Sequence, residues 1–262
     1  MTCVRPYGAD RRSAEIAGIV AATLAIGNTT AIRRAFGEFE RRTGPDLARF
    51  VDGTHARNWS ERLNGFRHRW IRGDQLGYLA LRLHRIHDEH ASLEDVFLGG
   101  SSKAGGFAGG IDALSRALRG PEGESPAPPP GYRSLFPSPL DGPGSPCKRL
   151  VLFVRWMVRR GYPDLGLWRR VPEGELRVPL DQHVHWIAYH VGLTQRRTRG
   201  WSTVEEVTES LRRIDPMDPV KYDFVLCHTG ISGDCPKERD IAVCGPCSLR
   251  PDCRLWRGRS AG

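Results

Sequence analysis

Four cysteines near the end of the chain, Cys235, Cys244, Cys247 and Cys253, stand in the spacing C-x8-C-x2-C-x5-C, and no other feature restricts the local fold so tightly. Four thiols in so short a span, with glycine and proline between them, can close around one metal centre without ligands from elsewhere. A 4Fe-4S cluster and zinc both accept four thiolates. Structural zinc usually takes two short C-x2–4-C pairs, whereas only Cys244 and Cys247 form one here, so the spacing favours iron–sulfur, with zinc as the alternative. All four positions would be filled by protein, which points to a structural centre and not a reactive one. The loop has little apolar content to hold its own shape, and Lys237, Arg239, Arg250, Arg254, Arg257 and Arg259 surround it. Basic side chains so placed suit contact with phosphates. Cys3, Cys147 and Cys227 are left over and read as small apolar packers.

The rest of the chain reads as helix. Apolar positions recur at helical spacing over 13–26, 29–43, 59–66, 75–90 and 111–118, then after Lys148, and again over 182–191, 202–214 and from Asp218 onward. The first of these is apolar on all sides and predicts a buried helix. Thr29 or Thr30 is a candidate cap for the second. Ser202-x-x-Glu205 reads as a capping box. His84, His87 and His90 share a helical spacing that would suit a metal, but with no carboxylate or thiol partner in view they read as an exposed face. The run GGSSKAGGFAGG lacks the G-x-x-x-x-G-K-[ST] pattern and follows no predicted strand, which argues against a phosphate loop. Residues 120–146 are rich in proline, glycine and serine and read as a linker or long surface loop. The expectation is an all-α chain with lobes at 14–119 and 147–234, the cysteine loop at 235–253 and a basic tail at 254–262.

Chemistry concentrates between Ser145 and Asp181. Ser145 is a good N-cap and Pro146 suits the first helical position, which places Lys148 in the first turn of a helix. A cation there opposes the helix dipole by about 0.3–1 kcal/mol. The plain reading is a solvated lysine. The functional reading is an amine nucleophile, which must be neutral to attack carbon. Bringing an ordinary lysine, at about 10.4, down to neutrality requires about 4 kcal/mol, more than a helix end supplies. Enclosure in an apolar pocket would supply the rest, so this reading requires a largely buried Lys148. Asp181, just before the next helix, reads as an N-cap. The same capping would hold an ionised carboxylate where positive charge develops on a sugar, as in glycoside hydrolysis.

The formal net charge is +9 and the pI about 9.5, which suit a polyanionic partner. No segment approaches the roughly 20 apolar residues that span a bilayer, and MTCVRPYGADRR has no signal-peptide core, so no membrane partner and a cytoplasmic location are expected.

These residues resemble the helix-hairpin-helix (HhH-GPD) base-excision glycosylase superfamily over roughly residues 14–253. The cysteine loop is similar to that of endonuclease III, C-x6-C-x2-C-x5-C, with a longer first gap. LDQHV is similar to the VDTHI-type segment that carries the catalytic aspartate there, which makes Asp181 its counterpart. Lys148 precedes Asp181 by 33 positions, a separation like that of archaeal 8-oxoguanine glycosylases. The stretches CKRLVLFVRWMVRRGYPDLGLW and DPVKYDF also resemble an uncharacterised bacterial family allied to this superfamily. Where the superfamily hairpin reads L-P-G-V-G, this chain has Leu140-Asp141-Gly142-Pro143-Gly144, with its lysine four positions on instead of two. The resemblance implies a two-lobed helical fold and a monomer acting on double-stranded DNA with a damaged base, associated with the nucleoid. It also implies a Schiff-base lysine at Lys148 and an oxidised base, 8-oxoguanine first, as substrate. Trp156, Trp168 and Trp186 are candidates to stack on an extruded base, tryptophan in a helical core being the commoner case. The alternative is a non-enzymatic DNA- or RNA-binding protein built round the same iron–sulfur or zinc loop.

Overall fold

The computed structural model describes residues 4–52, 56–142 and 144–258; Cys3, Gly53, Pro143 and Arg259 lie outside the described residues. The chain is predominantly helical, as its periodicity predicts, and divides into two compact units. One comprises Met1–Asp141 with Arg149–Pro172, the other Gly142–Lys148 with Glu173–Gly262. Among the described residues no helix is long and apolar enough to cross a membrane.

The first unit is built around α1 (Arg11–Thr23), which is capped by Asp10 and buried along nearly its whole length. A helix apolar on all sides is stable only with neighbours all round. Around it run α2 (Thr29–Thr43), α3 (Leu47–Asp52), α4 (Ala56–Arg62) and α5 (Gly73–Glu89), with a short antiparallel hairpin, β1 (Arg67–His68) and β2 (Ile71–Arg72), before α5. Asn28, not Thr29 or Thr30, caps α2, because the helix already begins at Thr29.

Helices α6 (Leu93–Ala104) and α7 (Gly106–Arg119) take up the glycine-rich run, which lies outside the helices that periodicity predicts. The glycines let the two helices approach closely. A Cβ on Gly100 would stand 2.4 Å from the Gly109 carbonyl oxygen, and one on Gly110 would stand 2.4 Å from the Phe97 ring. Residues 120–141 are not a bare linker either. Tyr132 is fully buried, donates its hydroxyl to the Leu118 carbonyl at 2.9 Å and meets the Tyr78 ring edge-on at 4.6 Å. Three aromatic and aliphatic anchors, Tyr132, Leu135 and Phe136, hold this proline-rich stretch on the first unit.

From Arg149 onward, α8 (Lys148–Val158) packs in the first unit, where the Phe153 and Met157 side chains fill the space beside Gly18. Trp168 is fully buried and donates to the Glu15 carboxylate at 2.7 Å. Glu15 also accepts from the Leu93 amide and lies 3.8 Å from His87, whose side chain is almost wholly buried. His87 therefore belongs to the interior, and the exposed-face reading of the three histidines fails at its central member. Trp156 and Trp168 are core residues, as most helical tryptophans are.

The second unit contains α9 (Gln182–His190), α10 (Trp201–Arg212), α11 (Asp223–Ser232), α12 (Ile241–Cys244) and α13 (Arg254–Arg257). Gly200, not Ser202, stands at the cap of α10, which starts one residue earlier than the capping-box reading places it. Helix α11 begins five residues beyond Asp218 and leaves Phe224 and Val225 exposed.

Candidate active site and basic cleft

The turn before α8 is tighter than the sequence suggests. Cys147 has a positive φ of 49°, in the left-handed region that few residues other than glycine adopt. The Ser145 hydroxyl accepts the Cys147 amide at 3.1 Å within this turn, and because the helix starts only at Lys148, Ser145 is not its N-cap and Pro146 is not its first residue. Cys147 itself is buried, as the apolar-packer reading expects.

Across 33 residues of sequence, Lys148 meets Asp181: Nζ lies 3.3 Å from Oδ2. The other oxygen, Oδ1, accepts the Val184 amide at 3.0 Å and so caps α9. One oxygen fixes the carboxylate while the other faces the amine. Burial alone would raise the Asp181 pKa; the Lys148 ammonium, the Val184 amide and His183 outweigh it and hold the carboxyl below its ordinary value. Asp181 is therefore ionised at neutral pH.

Two expectations are corrected at this pair. The Lys148 side chain is 33% exposed, so the apolar enclosure required of a pre-neutralised amine is absent. Cys227 is not a plain apolar packer. Its thiol lies 3.6 Å from Asp181 Oδ2, and burial together with that carboxylate pushes it up to about 12. No spacing rule could have found it, since 46 residues separate the two.

The cysteine loop is laid out by short local bonds. The Cys235 amide donates to the Thr229 carbonyl, Asp240 caps α12, the Cys244 amide donates to the Asp240 carbonyl at 2.7 Å, and the Cys253 amide donates to the Leu249 carbonyl at 2.9 Å. None of the four cysteines is in a disulfide. Burial first, then the neighbouring Cys253, Cys244 and Cys247, push the Cys235 thiol up to about 11. The other three thiols are thus within electrostatic reach of Cys235, and the chemistry of the donor set suits a four-thiolate centre. Among the described residues, however, no three side chains of metal-binding type converge closely enough to hold an ion as they stand.

The sequence profile of a family described as a protein of unknown function, DUF2400, matches residues 3–232, most of the chain. The chain belongs to the DUF2400 family. No curated protein and no solved structure matches it. The DUF2400 match includes Lys148, Asp181 and Cys227 and ends before Cys235.

Most of the cations around the cysteine loop are engaged within it. Arg239 and Arg250 lie over the Trp256 ring at 4.2 and 5.2 Å, and Arg257 pairs with Asp252. Arg254 donates to the Thr194 carbonyl at 2.6 Å and lies over the Tyr189 ring. Lys237 alone among the described ones faces an open cleft without a partner. That cleft, about 760 Å³, runs along the α9 face bearing His185, Trp186, Tyr189 and His190 and is closed by Arg197, Arg199 and Lys237. Burial, and then His185, hold His190 below the ordinary histidine value.

Proposed function

We propose that this protein is a DNA glycosylase with associated AP lyase activity, of the helix-hairpin-helix kind, excising an oxidised base with 8-oxoguanine first among candidates. The observation that carries the reading is the Lys148–Asp181 pair, an amine at 3.3 Å from a carboxylate that is pinned by a helix cap. Asp181 Oδ2 is the acceptor within reach of the Lys148 proton, so transfer to it would free the amine where enclosure does not. The freed Nζ then bonds to the sugar C1′ while the C1′–N glycosidic bond breaks and its electron pair leaves with the base, which takes up a proton. Opening of the sugar ring gives an imine to Lys148. Loss of a C2′ proton then expels the 3′ phosphate and cleaves the strand. Asp181 passes the proton taken from Lys148 on to the departing base and, ionised again, offsets positive charge on the sugar.

Cys235, Cys244, Cys247 and Cys253 would hold a 4Fe-4S cluster, or zinc as the alternative, whose part is to fix the loop in shape. The partner is double-stranded DNA carrying the lesion, met by a monomer at the nucleoid.

Borohydride trapping tests the reading on three duplexes: 8-oxoguanine opposite cytosine, an abasic site, and undamaged DNA. Covalent complex with the first two that is lost in Lys148→Ala supports it. Absence of trapping on both damaged duplexes sinks it. The exposure of Lys148 favours the second reading, a DNA- or RNA-binding protein without chemistry, which predicts binding with no trapping at all.

A further inference from the structure

The arginines and lysine that close the α9 cleft differ from most of the other cations of their unit. Arg177 pairs with Glu205, Arg196 with Glu206 and Arg212 with Glu209. Arg197, Arg199 and Lys237 have no carboxylate or carbonyl partner among the described residues, and no acidic side chain lines the cleft. Three cations without counter-charges along one cleft favour an anionic ligand there.

The wall between them is aromatic. Trp186 and Tyr189 stand on the same face of α9, and the Arg254 guanidinium lies 5.2 Å from the Tyr189 ring centre, fixing that ring in place. The Trp186 indole N–H and His190 Nδ1 are both buried and have no hydrogen-bond partner among the described residues, so nothing polar in the interior holds the Trp186 ring in its place. Unpaired cations beside aromatic faces are the combination that holds an unstacked nucleotide: phosphates go to the cations, the base to a ring. An intact duplex offers phosphates but hides its base faces.

We infer that the α9 cleft binds an unpaired nucleotide of a DNA strand, with Arg197, Arg199 and Lys237 on its phosphates and Trp186 against its base. This rests on the DNA reading above but not on the lysine chemistry. The Lys148–Asp181 pair stands at the start of the helix whose side forms the cleft, so a strand held there is held by the element that carries the candidate carboxylate.

Fluorescence anisotropy on the full chain tests it, using a labelled single strand, a duplex with one unpaired nucleotide and a fully paired duplex. We expect the first two to bind more tightly than the third. Trp186→Ala should weaken the first two by about tenfold or more and leave the paired duplex nearly unchanged, while Trp186→Phe, which keeps a ring face, restores most of the difference. Arg197→Ala with Arg199→Ala should lower the salt dependence of single-strand binding by about 0.7 per lost cation. Both arginines are exposed, so this pair reads out the cleft even if Trp186→Ala does not fold. Equal binding of all three DNAs by the wild type, or an unchanged salt slope in the arginine pair, overturns the inference. Trapping on the same samples reports on the lysine chemistry separately: discrimination without trapping leaves the cleft standing and removes the lyase.

Discussion

Asp181 does two jobs with two atoms, and substitutions can separate them. Asparagine caps helices as well as aspartate does but carries no charge, so Asp181→Asn should keep the cap, lose only the ion-pair part of the stability and abolish borohydride trapping. Asp181→Ala removes the cap as well and should cost about 1 kcal/mol, seen as a lower midpoint in urea. The pair also has a pH signature. The fold holds the Asp181 carboxyl below its unfolded value, so its contribution to stability is present above that unfolded value and is lost as pH falls through the folded one. Lys148→Met removes the strongest influence lowering it and leaves burial less opposed. Between neutral and acid pH that variant should therefore lose less stability than the wild type does, measured as urea midpoints across the acid range. An unchanged acid limb would show that the two side chains are not electrostatically coupled. Asp181 was legible in the sequence because a cap announces itself locally. Cys227 was not, because nothing in its own neighbourhood marks the carboxylate it meets.

Helices were legible wherever apolar residues kept their period, as in α1, α2, α5 and α9. They were missed where tertiary packing overrides propensity. In α6, which no predicted helix covers, the pair Gly99–Gly100 is helical, and the reason lies on the neighbouring α7. A Cβ on Gly99 meets nothing within 4 Å, while one on Gly100 meets the Gly109 backbone and Ala113. Gly99→Ala should therefore stabilise the protein by up to about 1 kcal/mol, the ordinary helix gain. Gly100→Ala should destabilise it by about 1–3 kcal/mol, because backbone cannot step aside. Thermal midpoints moving in opposite directions would verify the close approach, and two rises would refute it. The proline-rich stretch at 120–141 was misread for the complementary reason: its composition speaks of a loop, and its few large side chains decide where it lies.

For the whole molecule, composition gave the sign of the charge but not its arrangement. Many of the cations behind the net charge of +9 are paired with carboxylates, while three of the second unit's uncompensated ones gather at one cleft. The cysteine loop is the other feature at this scale. If the proposed 4Fe-4S cluster is present, aerobically purified protein should be yellow-brown, and Cys244→Ala should be colourless with a loop more open to protease. Colourless wild-type protein that contains stoichiometric zinc would instead establish the alternative. Lys237 follows Cys235 by two residues and Arg254 follows Cys253 directly. The two ends of the thiol array are thus wired to two walls of the cleft. If those sulfurs hold a metal centre and the cleft holds a strand, an oxidant or chelator that alters the sulfur bonding would shift the cations as well, and the cell's redox state would then set how firmly the strand is gripped.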